Sequence, residues 1–122
     1  MIALRRLILC AALGLGLAPA AAAQPTGADI YKQRCAMCHT SKAGAKPGIG
    51  PNLAGVYGRT AASTTYNYSA AMKKKAAVKW DKASLDAFLT YPGKFIPGTK
   101  MVAQLPDKTM REKLIAYLVT LK

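Results

Sequence analysis

Two short stretches carry the residues best equipped for chemistry: Cys35-Ala36-Met37-Cys38-His39 and Pro97-Gly98-Thr99-Lys100-Met101. Thiolate, imidazole and thioether are the side chains that bind transition metals. A cysteine pair at this spacing serves three chemistries: a redox disulfide, a metal site, or thioether attachment of a haem. A thioredoxin-like dithiol belongs on a βαβ scaffold, and no segment of the chain reads as a strand. A closed zinc site needs four Cys or His ligands, and beyond residue 23 only Cys35, Cys38 and His39 are available. Adjacent Cys38 and His39 would also converge poorly on one tetrahedral ion.

Cys-x-x-Cys-His is the attachment signature of haem c. Two thiols three residues apart near a helix end reach the vinyl groups of neighbouring pyrrole rings. The next residue is thereby delivered beneath the iron as an axial imidazole. His39 is the only histidine, so bis-histidine ligation within one chain is excluded. Four methionines compete for the opposite position. Met37 projects from the same segment as His39, Met110 fits the apolar stripe of the last helix, and Met72 follows a short helix and faces three lysines. Met101 lies in a loop stiffened by prolines that can cross the far face of a flat cofactor. It is the best-placed distal ligand.

These residues need an exported, folded support. Arg5 and Arg6 precede an apolar run from Leu7 to Ala18, and Ala21-Ala22-Ala23 has the small-residue pattern of a cleavage site. Residues 1–23 are therefore read as a secretory signal, with Cys10 leaving inside it, and residues 24–122 as one domain. The run is short of the roughly 20 apolar residues of a membrane span. A domain of about 100 residues has a modest core, so a cofactor would form a material part of it. Eighteen basic residues against five acidic ones give a formal charge of +13. Such an excess implies an acidic partner or an anionic membrane surface, since an exported protein rarely meets nucleic acid.

Capping chemistry predicts the helices. Thr26 to Asp29 has the form of a capping box and opens a helix running into the cysteine motif. Ser69 caps a brief helix over 70–72. Asp81 caps another, with Leu85, Phe88 and Leu89 on one face and Pro92 as its stop. Asp107 starts the last helix, whose stripe is Met110, Leu114, Tyr117, Leu118 and Leu121. Residues 40–59 and 91–106 read as irregular loops, and loops this long in a small domain need something to pack on.

The motif together with Gly50-Pro51-Asn52-Leu53, Gly58-Arg59, Trp80, Ile96-Pro97-Gly98-Thr99-Lys100-Met101 and Leu114-Ile115-Ala116-Tyr117-Leu118 resembles the class I cytochromes c over essentially all of residues 24–122. The resemblance implies an all-α fold of short helices and long loops around one covalent haem c, with His39 and Met101 as axial iron ligands and Cys35 and Cys38 as thioether anchors. It implies that the Pro51 carbonyl accepts the imidazole N–H, and that Arg59, Tyr68 and Trp80 hold the propionates, with Tyr66 and Thr99 nearby. Gly27 matches the small residue where first and last helices cross, with Tyr31 packing toward Leu114 and Tyr117. Segment 60–68 departs from the family pattern.

Two protein axial ligands leave no open coordination position, which favours electron transfer over catalysis. The implied role is a monomeric, soluble periplasmic one-electron carrier, not an enzyme. Its lysines, among them Lys42, Lys46, Lys94 and Lys100, would meet acidic docking surfaces of a quinol–cytochrome c reductase, a terminal oxidase or a periplasmic dehydrogenase, with transient membrane-surface contact and no nucleic acid. The alternatives are a permanent haem subunit of a dehydrogenase complex, and a peroxidase-like catalyst that releases Met101.

Overall fold

The computed structural model describes residues 16–122; Arg5, Arg6, Cys10 and the first part of the apolar run lie outside the described residues. Five helices follow in order: α1 (Gly27–Arg34), α2 (Ala70–Lys74), α3 (Lys82–Thr90), α4 (Pro92–Phe95) and α5 (Lys108–Thr120). Among the described residues, extended pairing is confined to one isolated antiparallel bridge, Thr60 with Lys79, and no helix is long and apolar enough to cross a membrane.

Each of the four predicted helix starts is chemically signed. The Thr26 hydroxyl accepts from the Asp29 amide while the Asp29 carboxylate accepts from the Thr26 amide, a complete capping box. Asp81 and Ser84 repeat the arrangement for α3. Ser69 caps α2 through the Met72 amide, and Asp107 caps α5 through the Met110 amide. Such caps satisfy amides that have no partner inside the helix, worth about 1 kcal/mol each. The sequence reading leaves out α4. Pro92 does end α3, but it then occupies the first turn of α4, where a missing N–H costs nothing.

The frame is the crossing of α1 and α5, joined by α3. Gly27 permits it: a Cβ there would overlap the Lys113 carbonyl oxygen and lie 2.8 Å from Tyr117 Cβ. Beside the crossing, Ile30 and Leu114 are fully buried, and the Tyr31 and Tyr117 rings stack obliquely at 5.5 Å. The stripe predicted for α5 is broader than its apolar residues, because Arg111 and Ile115 are buried with Leu114 and Leu118. A second apolar group, Trp80 with Phe88 and Phe95, joins α3 and α4.

Candidate haem site

The cysteine motif prolongs α1 by about one turn. The Cys35 and Ala36 amides donate to the Tyr31 carbonyl, and those of Cys38 and His39 donate to the Cys35 carbonyl at 3.0 and 2.9 Å. Residues i and i+3 of a helical turn share a face, so both thiols project to one side. Neither is in a disulfide. Burial, with Cys38 second, pushes the Cys35 thiol up to about 11.

The next loop folds back onto His39. Gly50 N–H donates to the Cys38 carbonyl at 2.8 Å, and Leu53 N–H donates to that of Thr40. Gly50 thereby lies flat on the imidazole: a Cβ would overlap Cε1 and stand 2.8 Å from Nδ1 and 2.9 Å from Nε2. Pro51 then presents its carbonyl 2.7 Å from His39 Nδ1. With Nδ1–H donating there, the lone pair is on Nε2. Burial lowers the His39 pKa, the Pro51 bond opposes this, and nearby Arg59 lowers it further; the ring is neutral at pH 7. From the other side, the Tyr31 hydroxyl donates to the His39 carbonyl at 2.9 Å.

Met101 arrives from across the domain. Ile96 is buried, and Thr99 N–H closes a turn onto its carbonyl at 3.0 Å. Pro97 and Gly98 are the central residues of that turn, with Gly98 at φ +90°, a geometry suited to proline followed by glycine. Lys100 Nζ donates to the Asn67 carbonyl at 2.6 Å and stands 5.6 Å from the centre of the Tyr66 ring.

Between these two approaches lies a cleft of about 370 Å³ into which Cys35, Cys38, His39 and Met101 all open. Its walls are largely apolar, from Leu53, Val56, Leu85, Phe88, Leu89 and Leu118. Arg59, Tyr68, Trp80 and Thr99, predicted from the sequence, line it as well, and so do Tyr66 and Pro51. Arg59 and Trp80 are neighbours on a short ladder, Trp80 N–H donating to the Arg59 carbonyl at 2.9 Å. Tyr68 pairs its hydroxyl with Thr64 Oγ1 at 2.7 Å, while Tyr66 donates to the Ile49 carbonyl.

Met37 and Met110 stand apart from the cleft as the sequence reading has them, and Met72 does not. Met37 is 86% exposed, and Met110 packs against the core outside the cleft. Met72 lies within α2 rather than after it, and its buried side chain lines the cleft with Met101. The folding of segment 60–79 places it there, which no local pattern announces. The roles of Gly50 and of the Tyr31 hydroxyl escape the sequence in the same way; Gly50 alone has a local signal, its place before Pro51.

The donor set fits a haem. Two free thiols on one turn, a neutral imidazole, a thioether and apolar walls face one slot. Arg59 supplies an independent sign: Nη1 and Nη2 donate to the Ala54 and Asn52 carbonyls, both at 3.0 Å, but buried Nε has no partner. A buried donor without an acceptor is costly, and a haem propionate would satisfy it.

Comparison with known proteins agrees. The cytochrome c family profile matches residues 25–122. The chain is 50% identical to cytochrome c of Guizotia abyssinica over 103 residues, covering 83% of this chain and 91% of that protein. It is 49% identical to cytochrome c of Ulva intestinalis over 94 residues, 75% and 84% of the two chains. Among solved structures, cytochrome cH from Methylobacterium extorquens superposes with a TM-score of 0.70 at 38% identity, covering 77% of this chain and 94% of that one.

Proposed function

The chain belongs to the cytochrome c family, with the class I fold, and from that premise we propose a periplasmic one-electron carrier whose single haem c is held by Cys35 and Cys38 and ligated by His39 and Met101. Membership of this family supports electron transfer through a single haem rather than catalysis. The observation that carries the ligand assignment is the His39 Nδ1–Pro51 carbonyl bond at 2.7 Å, with Met101 on the same cleft.

A bound haem supplies one reversible electron through the ferrous and ferric states of its iron. The chain's residues set the terms. Pro51 fixes the orientation of the His39 ring and raises its basicity. The Met101 thioether favours the reduced state over what a more basic ligand would give. Leu53, Val56, Leu85 and Phe88 exclude water, which disfavours the extra charge of the oxidised state. Arg59, with Tyr68 and Trp80 beside it, accommodates the propionates.

The charge distribution supports transient docking on acidic redox partners. All five carboxylates are engaged locally: Asp29, Asp81 and Asp107 in caps, Asp86 with Arg111, and Glu112 with Lys108. Lys42, Lys46, Lys73, Lys74, Lys75 and Lys94 are exposed, leaving a field that accelerates encounter with negative surfaces. Export with cleavage after Ala23 is compatible with the fold. Residues 16–24 are exposed, and the first anchored group is the Pro25 carbonyl, which accepts from Lys113 Nζ at 3.1 Å.

The decisive experiment compares the cleft methionines. Met101→Ala should let cyanide bind the ferric protein and should lower the reduction potential, while Met72→Leu should do neither. Cyanide binding that follows Met72 would transfer the ligand role to α2.

A further inference from the structure

Arg111 is the one charged residue in the core of the described residues, at 7% exposure. Its Nε donates to Asp86 Oδ1 of α3 at 2.8 Å. Its Nη1 donates to two consecutive carbonyls outside the helices, Leu105 at 3.0 Å and Pro106 at 2.7 Å. Those carbonyls follow Met101 by four and five residues.

The intervening Val102, Ala103 and Gln104 are exposed, Val102 at 85%, and Val102 and Ala103 border the cleft, so core packing there does little to hold the segment. The preceding side is well fixed by buried Ile96, the Pro97-Gly98 turn and the Lys100–Asn67 bond. On the following side, the attachments are buried Leu105, its N–H donating to the Leu89 carbonyl at 2.8 Å, and the Arg111 guanidinium. Pro106 has no amide of its own with which to pair.

We propose that Arg111 is a positioning residue for the Met101 segment: oriented by Asp86, it clamps the Leu105 and Pro106 carbonyls to α5 and so holds the thioether in the cleft. The inference rests on Met101 being the distal ligand. A guanidinium suits the task, because it presents several donors in one rigid plane and stays charged when buried. Removing it leaves two carbonyls without their donor and an Asp86 carboxylate without its partner, and the segment gains an open arrangement in which they are hydrated.

The test is cyanide titration of the ferric holoprotein, followed by absorption. Arg111→Gln should tighten apparent cyanide affinity by about tenfold or more, since it removes charge-assisted bonds that keep the segment closed. Asp86→Asn, which spares the carbonyl bonds, should tighten it several-fold less. Ile115→Ala, a buried α5 residue outside the cleft, and Lys108→Gln, from the exposed pair at the start of α5, should leave it within about twofold. Unchanged affinity in Arg111→Gln overturns the clamp. Equal tightening in Ile115→Ala overturns it too, because the effect would then be global destabilisation. If Arg111→Gln yields no folded holoprotein, Asp86→Asn decides, together with hydrogen exchange at the Leu105 amide, which must quicken. Met101→Ala separates the two readings: if it fails to open the iron, the ligand assignment has failed and the clamp falls with it.

Discussion

Replacing Gly50 with alanine should injure the haem site through a single methyl group. Gly50 does not adopt a positive φ, so its backbone tolerates an L-residue. Restricting the unfolded chain would by itself stabilise the protein by about 0.4–1 kcal/mol. Against this, the new Cβ would stand 2.8 Å from His39 Nδ1 and 2.9 Å from Nε2, well inside contact distance. Neither side can easily yield, because the imidazole is tied to Pro51 at 2.7 Å and Gly50 is tied to Cys38. Overpacking of this kind costs about 1–3 kcal/mol, and a displaced Nδ1–carbonyl bond adds about 1 kcal/mol. A net loss of about 2–3 kcal/mol lowers the melting temperature of a domain this size by roughly 10–20 °C. Gly93→Ala is the matched control: its Cβ would meet only Tyr91 Cε2 at 3.7 Å, inside α4, and it should gain a few tenths of a kcal/mol. Thermal unfolding by circular dichroism and potentiometry of the holoprotein provide the readouts. If Gly50→Ala melts with the wild type at an unchanged potential, the loop does not grip the imidazole as described.

Two further outcomes follow from the same geometry. Tyr31→Phe removes the hydroxyl that donates to the His39 carbonyl, and should cost about 1 kcal/mol in guanidinium unfolding; an unchanged midpoint would mean that water replaces the bond without loss. In acid, the caps should fail in a predictable direction. The Thr26 hydroxyl and amide hold the Asp29 carboxyl below its ordinary range, and the Ser84 amide and hydroxyl do the same for Asp81. Their folded pKa values are depressed, so the stability they contribute is present above the unfolded value near pH 4 and is lost as pH falls through the folded values. Urea midpoints between pH 6 and pH 3 should therefore depend less on pH in Asp29→Asn and Asp81→Asn than in the wild type.

Local chemistry was legible in the sequence. Thr26, Ser69, Asp81 and Asp107 each act on an amide three residues away, so their helix starts can be read without knowing the fold. The spacing of Cys35 and Cys38 is one helical turn, and that too is local. Pro92 misled because proline both stops one helix and opens another, and only the backbone direction after Tyr91 decides. Met72, Gly50 and the Tyr31 hydroxyl owe their places to chain returns from segments 60–79 and 40–53 and to the α1–α5 crossing, which no nearby pattern encodes. Arg111 was hidden for a different reason: an arginine in a basic chain reads as solvated surface until its carboxylate and carbonyl partners are known.

The engagement of every carboxylate in a cap or an ion pair separates two properties that are often entangled. Acidic residues here serve local geometry, whereas most of the exposed lysines hold neither a helix start nor a core contact. Surface potential can therefore change by lysine replacement with little disturbance to the haem cleft, while the three capping aspartates and Asp86 cannot be exchanged without loosening a helix start or the Arg111 contacts. Partner choice can drift in sequence while the electron-transfer centre stays constant. The converse change, adding acidic residues at fresh positions, would alter recognition just as freely.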